Sequence, residues 1–160
     1  MKWSINAGQI FGIKLRIHLT FFLLLAFIFV SDMKQGFKAG LVSVLFVCAI
    51  FACVVIHELS HSLMARVFGR EPKSITLLPI GGVATIDMMP VRPGQEIAIS
   101  IVGPATNIII AIILMLLTGV QMAFTLYRTN QAAPSVFITN LIAVNIMLAV
   151  FNLIPALPMD

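Results

Sequence analysis

Charge is scarce in this chain: ten Lys and Arg and six Asp and Glu make up 10% of 160 residues, against roughly 25% in ordinary soluble domains. That shortage excludes a typical water-soluble domain, and with 60% apolar residues and a mean hydropathy of +1.08 it describes a polytopic membrane protein. The basic residues are scattered, without a cluster alternating with aromatics. The net charge of +4 therefore carries no nucleic-acid signature and reads as an orientation signal; no nucleic-acid partner is expected. Cysteine is as sparse. Cys48 and Cys53 share one apolar run, where a bridge within a straight helix is geometrically poor, so no disulfide framework is expected. Also missing is a small-residue cleavage pattern after the first apolar run, which argues against a removable signal peptide.

What is present are four apolar segments: Leu19 to Val30, Leu41 to Phe68, Ile97 to Val120, and Val136 to about Ile154. With about 20 residues needed per span, they predict an all-α polytopic membrane protein of about four transmembrane helices forming one core over residues 1–160. The first segment is short and is expected to span by recruiting Ile13 to His18. Between helices two and three, Ser74-Ile75-Thr76-Leu77-Leu78 alternates and is followed by Pro79-Ile80-Gly81-Gly82-Val83-Ala84-Thr85-Ile86. This period near two with a Gly-Gly turn predicts a small membrane-associated β element whose unpaired edge could dock an extended peptide.

Within the second apolar run stands His57-Glu58-Leu59-Ser60-His61. Two histidines four residues apart share one helix face, so both imidazoles can ligate one metal ion while Glu58, one step around, faces a metal-bound water. Ionisable groups at bilayer depth are costly and mark functional sites. The basic residues orient the chain: with the N-terminus cytoplasmic, Lys2, Lys14, Arg16, Arg66, Arg70, Lys73 and Arg92 lie inside and Lys34, Lys38 and Arg128 outside. Helix two then runs inward and places His57 about 16 Å of helix rise from its cytoplasmic end. Helix four also runs inward, so Asp160 arrives on the same side, and Pro155 and Pro158 leave the chain before it extended enough to turn a carboxylate toward a neighbouring helix.

Several motifs together resemble the site-2 protease family, most closely its archaeal and bacterial branch: Gly12-Ile13-Lys14-Leu15-Arg16-Ile17-His18; the His57 to His61 pentapeptide; Leu77-Leu78-Pro79-Ile80-Gly81-Gly82-Val83-Ala84; Gly103-Pro104-Ala105-Thr106-Asn107; and Asn152 through Asp160. The resemblance implies an intramembrane metalloprotease of the cell membrane with transmembrane protein substrates, a zinc ion ligated by His57, His61 and Asp160, and Glu58 as general acid/base. In that family the aspartate is followed by glycine and further helices, and some members add a cytoplasmic CBS-domain pair. Ending at Asp160, the sequence is expected to be a truncated piece.

A substrate helix must unwind before its amides can be cut, and the Ser74 to Ile86 region and the Asn152 amide are candidates to hold the unwound segment. Two rival classes use the same residues: a divalent-metal transporter, which would need ligands on more helices than helices one and three supply, and a non-catalytic scaffold that binds membrane helices. Cys53 is read as packing rather than a fourth ligand, and His18 as an interfacial histidine. Gly103, Pro104 and Asn107 are read as close helix packing with an interhelical hydrogen bond. Asn140 and Asn145 are assigned no chemistry.

Overall fold

The structure is a computed structural model that describes residues 3–86, 92–129 and 136–153. The chain opens as a hairpin of β1 (Ser4–Ile10) and β2 (Ile13–His18), continues through helix α1 (Leu19–Asp32) and a 3-10 turn into α2 (Phe37–Val67), and makes a second hairpin of β3 (Pro72–Leu78) and β4 (Gly81–Ile86). Helices α3 (Pro93–Thr129) and α4 (Val136–Leu153) follow. Three of these helices are long and apolar enough to cross a membrane: α2, the Pro93–Gly119 stretch of α3, and α4.

The expectation that Ile13 to His18 would extend the first helix is corrected by the structure. Ile13, Leu15 and Ile17 alternate with Lys14, Arg16 and His18, a period of two that places apolar and basic side chains on opposite faces of β2. The helix begins only at Leu19, where the His18 side chain caps it by accepting from the Thr20 amide. At 14 residues, α1 rises about 21 Å, short of the roughly 30 Å hydrocarbon core. The β element is also larger than expected. Its four strands lie in the order β1-β2-β3-β4, with both hairpins antiparallel and β2 joined in parallel to β3 through Lys14↔Ser74 to Ile17↔Leu77.

Because β2 and β3 are neighbours, α1 must lead away from the sheet and α2 must return to it. That return is sharply terminated. Gly69, at φ +81°, lets its amide bond to the Arg66 carbonyl and the Arg70 amide to the Ala65 carbonyl, which turns the chain directly into β3. The α3 helix then leaves from the sheet side, with Pro93 in its first turn and the Gln95 side chain accepting from the Arg92 amide. An apolar cluster of Phe21, Phe51 and Leu77, edged by Leu15, Ile17 and Val47, ties α1, α2 and the sheet together; the Phe21 and Phe51 rings meet edge-on at 4.6 Å. Arg66, at the sheet end of α2, donates to the Phe11 carbonyl in the β1–β2 turn at 2.8 Å.

Candidate metal centre

Helix α2 buries one stripe, Cys53, His57, Glu58, His61, Ser62 and Ala65, against α3, α4 and the sheet. His57 and His61 are 3% and 6% exposed, so any ion between them is shielded from bulk solvent. Their Nε2 atoms face each other at 3.0 Å with the rings nearly perpendicular. His61 Nδ1 lies 2.6 Å from the Ile99 carbonyl oxygen, which can only accept. The proton therefore sits on Nδ1, and Nε2 of His61 keeps a lone pair for the space it shares with His57. Two nitrogens bound to one tetrahedral ion at about 2.0–2.1 Å stand roughly 3.3 Å apart, close to the spacing found. The imidazole pair thus fits a divalent cation.

Backbone approaches this pair from two sides. A Cβ added at Gly103 would collide with His61 Nε2 and come within 2.8 Å of His57 Cε1, so α3 presses bare backbone against the imidazoles. A Cβ at Gly82 would lie 2.6 Å from Glu58 Cγ and 3.3 Å from its Oε1, so edge strand β4 runs directly over the carboxyl group. From α4, Asn152 Nδ2 lies 3.2 Å from His57 Nε2. His57 and His61 of α2 and Asn152 of α4 are therefore brought together, and Glu58, the next residue along α2, lies under β4. Asp160 lies outside the described residues. Among those described, no group of three His, Cys, Asp or Glu side chains converges as a complete ligand set.

The neighbouring residues divide in an informative way. Cys53 is buried, and its Sγ accepts from Asn145 Nδ2 at 3.4 Å, in keeping with packing. His18 is a helix cap with its ring bonded to Thr20. Gly103 packs as closely as expected, but Asn107 makes no interhelical bond to any described residue; besides the His61–Ile99 contact, α2 and α3 are joined by Thr106 donating to Ser60 at 2.9 Å. Thr106 projects one step around α3 from Asn107, toward the hydroxyl on α2. Sequence reasoning missed the Ile99 carbonyl, which carries no side-chain signal, and Asn145, whose place in an apolar helix was itself a signal.

Comparison with known proteins sets this arrangement in context. A zinc metalloprotease of Methanocaldococcus jannaschii is 40% identical over all of this chain and 44% of its own length. A relative in Synechocystis is 34% identical over all of this chain and 42% of its own. The chain thus spans less than half the length of these relatives. In three dimensions it is similar to the site-2 protease from Methanocaldococcus jannaschii, with a TM-score of 0.73 and 37% identity over 99% of this chain and 68% of that one. The profile of Peptidase family M50 matches residues 45–132, which include the histidine pair, β3, β4 and the Gly103 face, and on that match this chain belongs to Peptidase family M50.

Proposed function

We propose that the chain is the core of a zinc-dependent intramembrane endopeptidase that cuts transmembrane protein substrates. The observation that carries this reading is the pair of imidazole Nε2 atoms converging at 3.0 Å in a buried seam, with Glu58 beside them under an edge strand. His57 and His61, with Asp160 as third ligand, would hold the ion. Zinc in such a site supplies Lewis-acid polarisation of a carbonyl and lowers the pKa of water to about 7.

The chain's own residues do the rest. Glu58 accepts a proton from the attacking water and returns it to the leaving amine nitrogen as the C–N bond breaks, so the carboxylate ends as it began. Burial beneath β4 keeps that transfer out of bulk solvent. β4 is a sheet edge, so its free main-chain groups can pair with a substrate segment that has lost its helical hydrogen bonds. The Asn152 amide, beside His57, holds a carbonyl of the same segment.

The distribution of basic residues, seven against three, favours a cytoplasmic N-terminus. Because both hairpins share one sheet, the active-site face, with Lys14, Arg16 and Lys73, then lies on the cytoplasmic side of a multi-pass cell-membrane protein.

The deciding experiment is Glu58→Gln in the full-length protein, with metal analysis and cleavage of a single-span test substrate. Zinc content is expected to persist while cleavage falls at least 100-fold, the lower range for loss of a general acid/base. Unchanged cleavage would overturn the protease reading. Metal flux into vesicles without proteolysis would establish the transporter, and binding of membrane helices without cutting the scaffold.

A further inference from the structure

Beyond the histidine pair, the helix seam buries a second polar group that the protease mechanism does not use. Asn107 on α3 and Asn145 on α4 are both 0% exposed. Asn145 Nδ2 is satisfied by the Leu141 carbonyl at 2.8 Å and by Cys53 Sγ, but its Oδ1 has no partner among the described residues, and neither do Oδ1 and Nδ2 of Asn107. Three unmatched amide atoms in an apolar seam are a large liability, since each has given up its hydrogen bonds to water without a replacement.

Helix register brings these residues to nearby levels of the seam. Asn145 touches α2 at Cys53, one turn farther from the sheet than His57. Gly103 touches α2 at His57 and His61. Since α2 runs into the sheet and α3 runs out of it, Asn107 lies on the Gly103 face one turn farther from the sheet, between the levels of His57 and Cys53. The α3 and α4 helices pack along each other and both amides are wholly buried, so the two lie in neighbouring stretches of one seam.

We propose that Asn107, Asn145 and Cys53 form an internal water-binding site between α2, α3 and α4, one turn from His57 on the side away from β4. The unmatched set contains both a donor, Asn107 Nδ2, and two acceptors, the Oδ1 atoms. A metal cation cannot accept a hydrogen bond and an anion cannot donate one. Water does both, is small, and typically makes about three hydrogen bonds when buried. The site does not depend on the metal centre, so failure of one reading leaves the other standing.

Cys53 offers a reporter inside the proposed site, and Cys48, on the exposed surface of the same membrane-spanning helix, is a control of the same chemistry outside it. X-ray radiolysis of the full-length protein in lipid nanodiscs, in water enriched in oxygen-18, oxidises side chains next to bound water. Cys53 is expected to take up label at least 5-fold faster than Cys48, and the Asn107→Leu/Asn145→Leu double variant is expected to lose that excess. Equal or slower labelling of Cys53 in the unmodified protein, a result that needs no variant to fold, would overturn the proposal and mean that another stretch of the chain satisfies the amides. Thermal melts give an independent reading: each single Leu variant strands the partner amide and melts below the double. A double variant that melts lower than both singles would refute a shared water.

Discussion

A single methyl group added at Gly103 tests the architecture of the proposed metal centre most sharply. Alanine there places its Cβ 2.6 Å from His61 Cε1 and 2.8 Å from His57 Cε1, where real contacts begin near 3.4 Å. Relief requires a shift of close to 1 Å. His61 is held by the Ile99 carbonyl and both rings are buried, so neither can swing into open space. Overpacking of this kind costs about 1–3 kcal/mol, and disturbing the orientation of metal-binding histidines weakens metal affinity about 10–100-fold. Competition with a graded series of zinc chelators, together with thermal melts of the metal-free protein, reads both effects. Gly119→Ala on the same helix is the control: its Cβ meets nothing within 4 Å, so it should leave zinc affinity unchanged and raise stability by about 0.5–1 kcal/mol. Zinc affinity of Gly103→Ala equal to that of the unmodified protein would refute the close approach of α3.

Gly82→Val should abolish cleavage while sparing zinc, because its side chain would occupy the space of Glu58 Cγ and push the carboxyl group or β4 aside; zinc content and substrate cleavage measured on one preparation check this. Asn152→Ala is expected to lower cleavage with zinc near normal, whereas loss of zinc would assign this amide to folding or ligation instead. Arg66→Ala removes an exposed charged donor from the Phe11 carbonyl. Its cost to global stability should stay within about 1 kcal/mol, but limited proteolysis should cut the β1–β2 hairpin faster, and an unchanged cutting rate would show the clamp to be idle.

Much of this molecule was legible in the chain because local geometry is short-ranged. An i, i+4 pair shares a helix face wherever that helix lies, so His57 and His61 could be paired from spacing alone. Apolar runs announce spans because bilayer thickness sets their length, and alternation placed the β3–β4 hairpin, although its turn is Pro79-Ile80 and the Gly81-Gly82 pair expected to form the turn opens β4 instead. The same alternation rule, applied to Ile13 through His18, would have found β2; the adjoining apolar run drew those residues into a helix instead.

Tertiary structure alone decided the parallel pairing of β2 with β3, which bonds residues some sixty positions apart, and with it the sheet that covers Glu58. It also decided that Gly103 would touch the imidazoles, that the Ile99 carbonyl would set the tautomer of His61, and that Asn152 and Asn145 would reach His57 and Cys53. Each depends on how one helix is rotated and shifted against another. Lipid-facing and partner-facing sides of these helices are alike in hydrophobicity, so composition does not distinguish them; packing of small residues and matching of buried polar groups does.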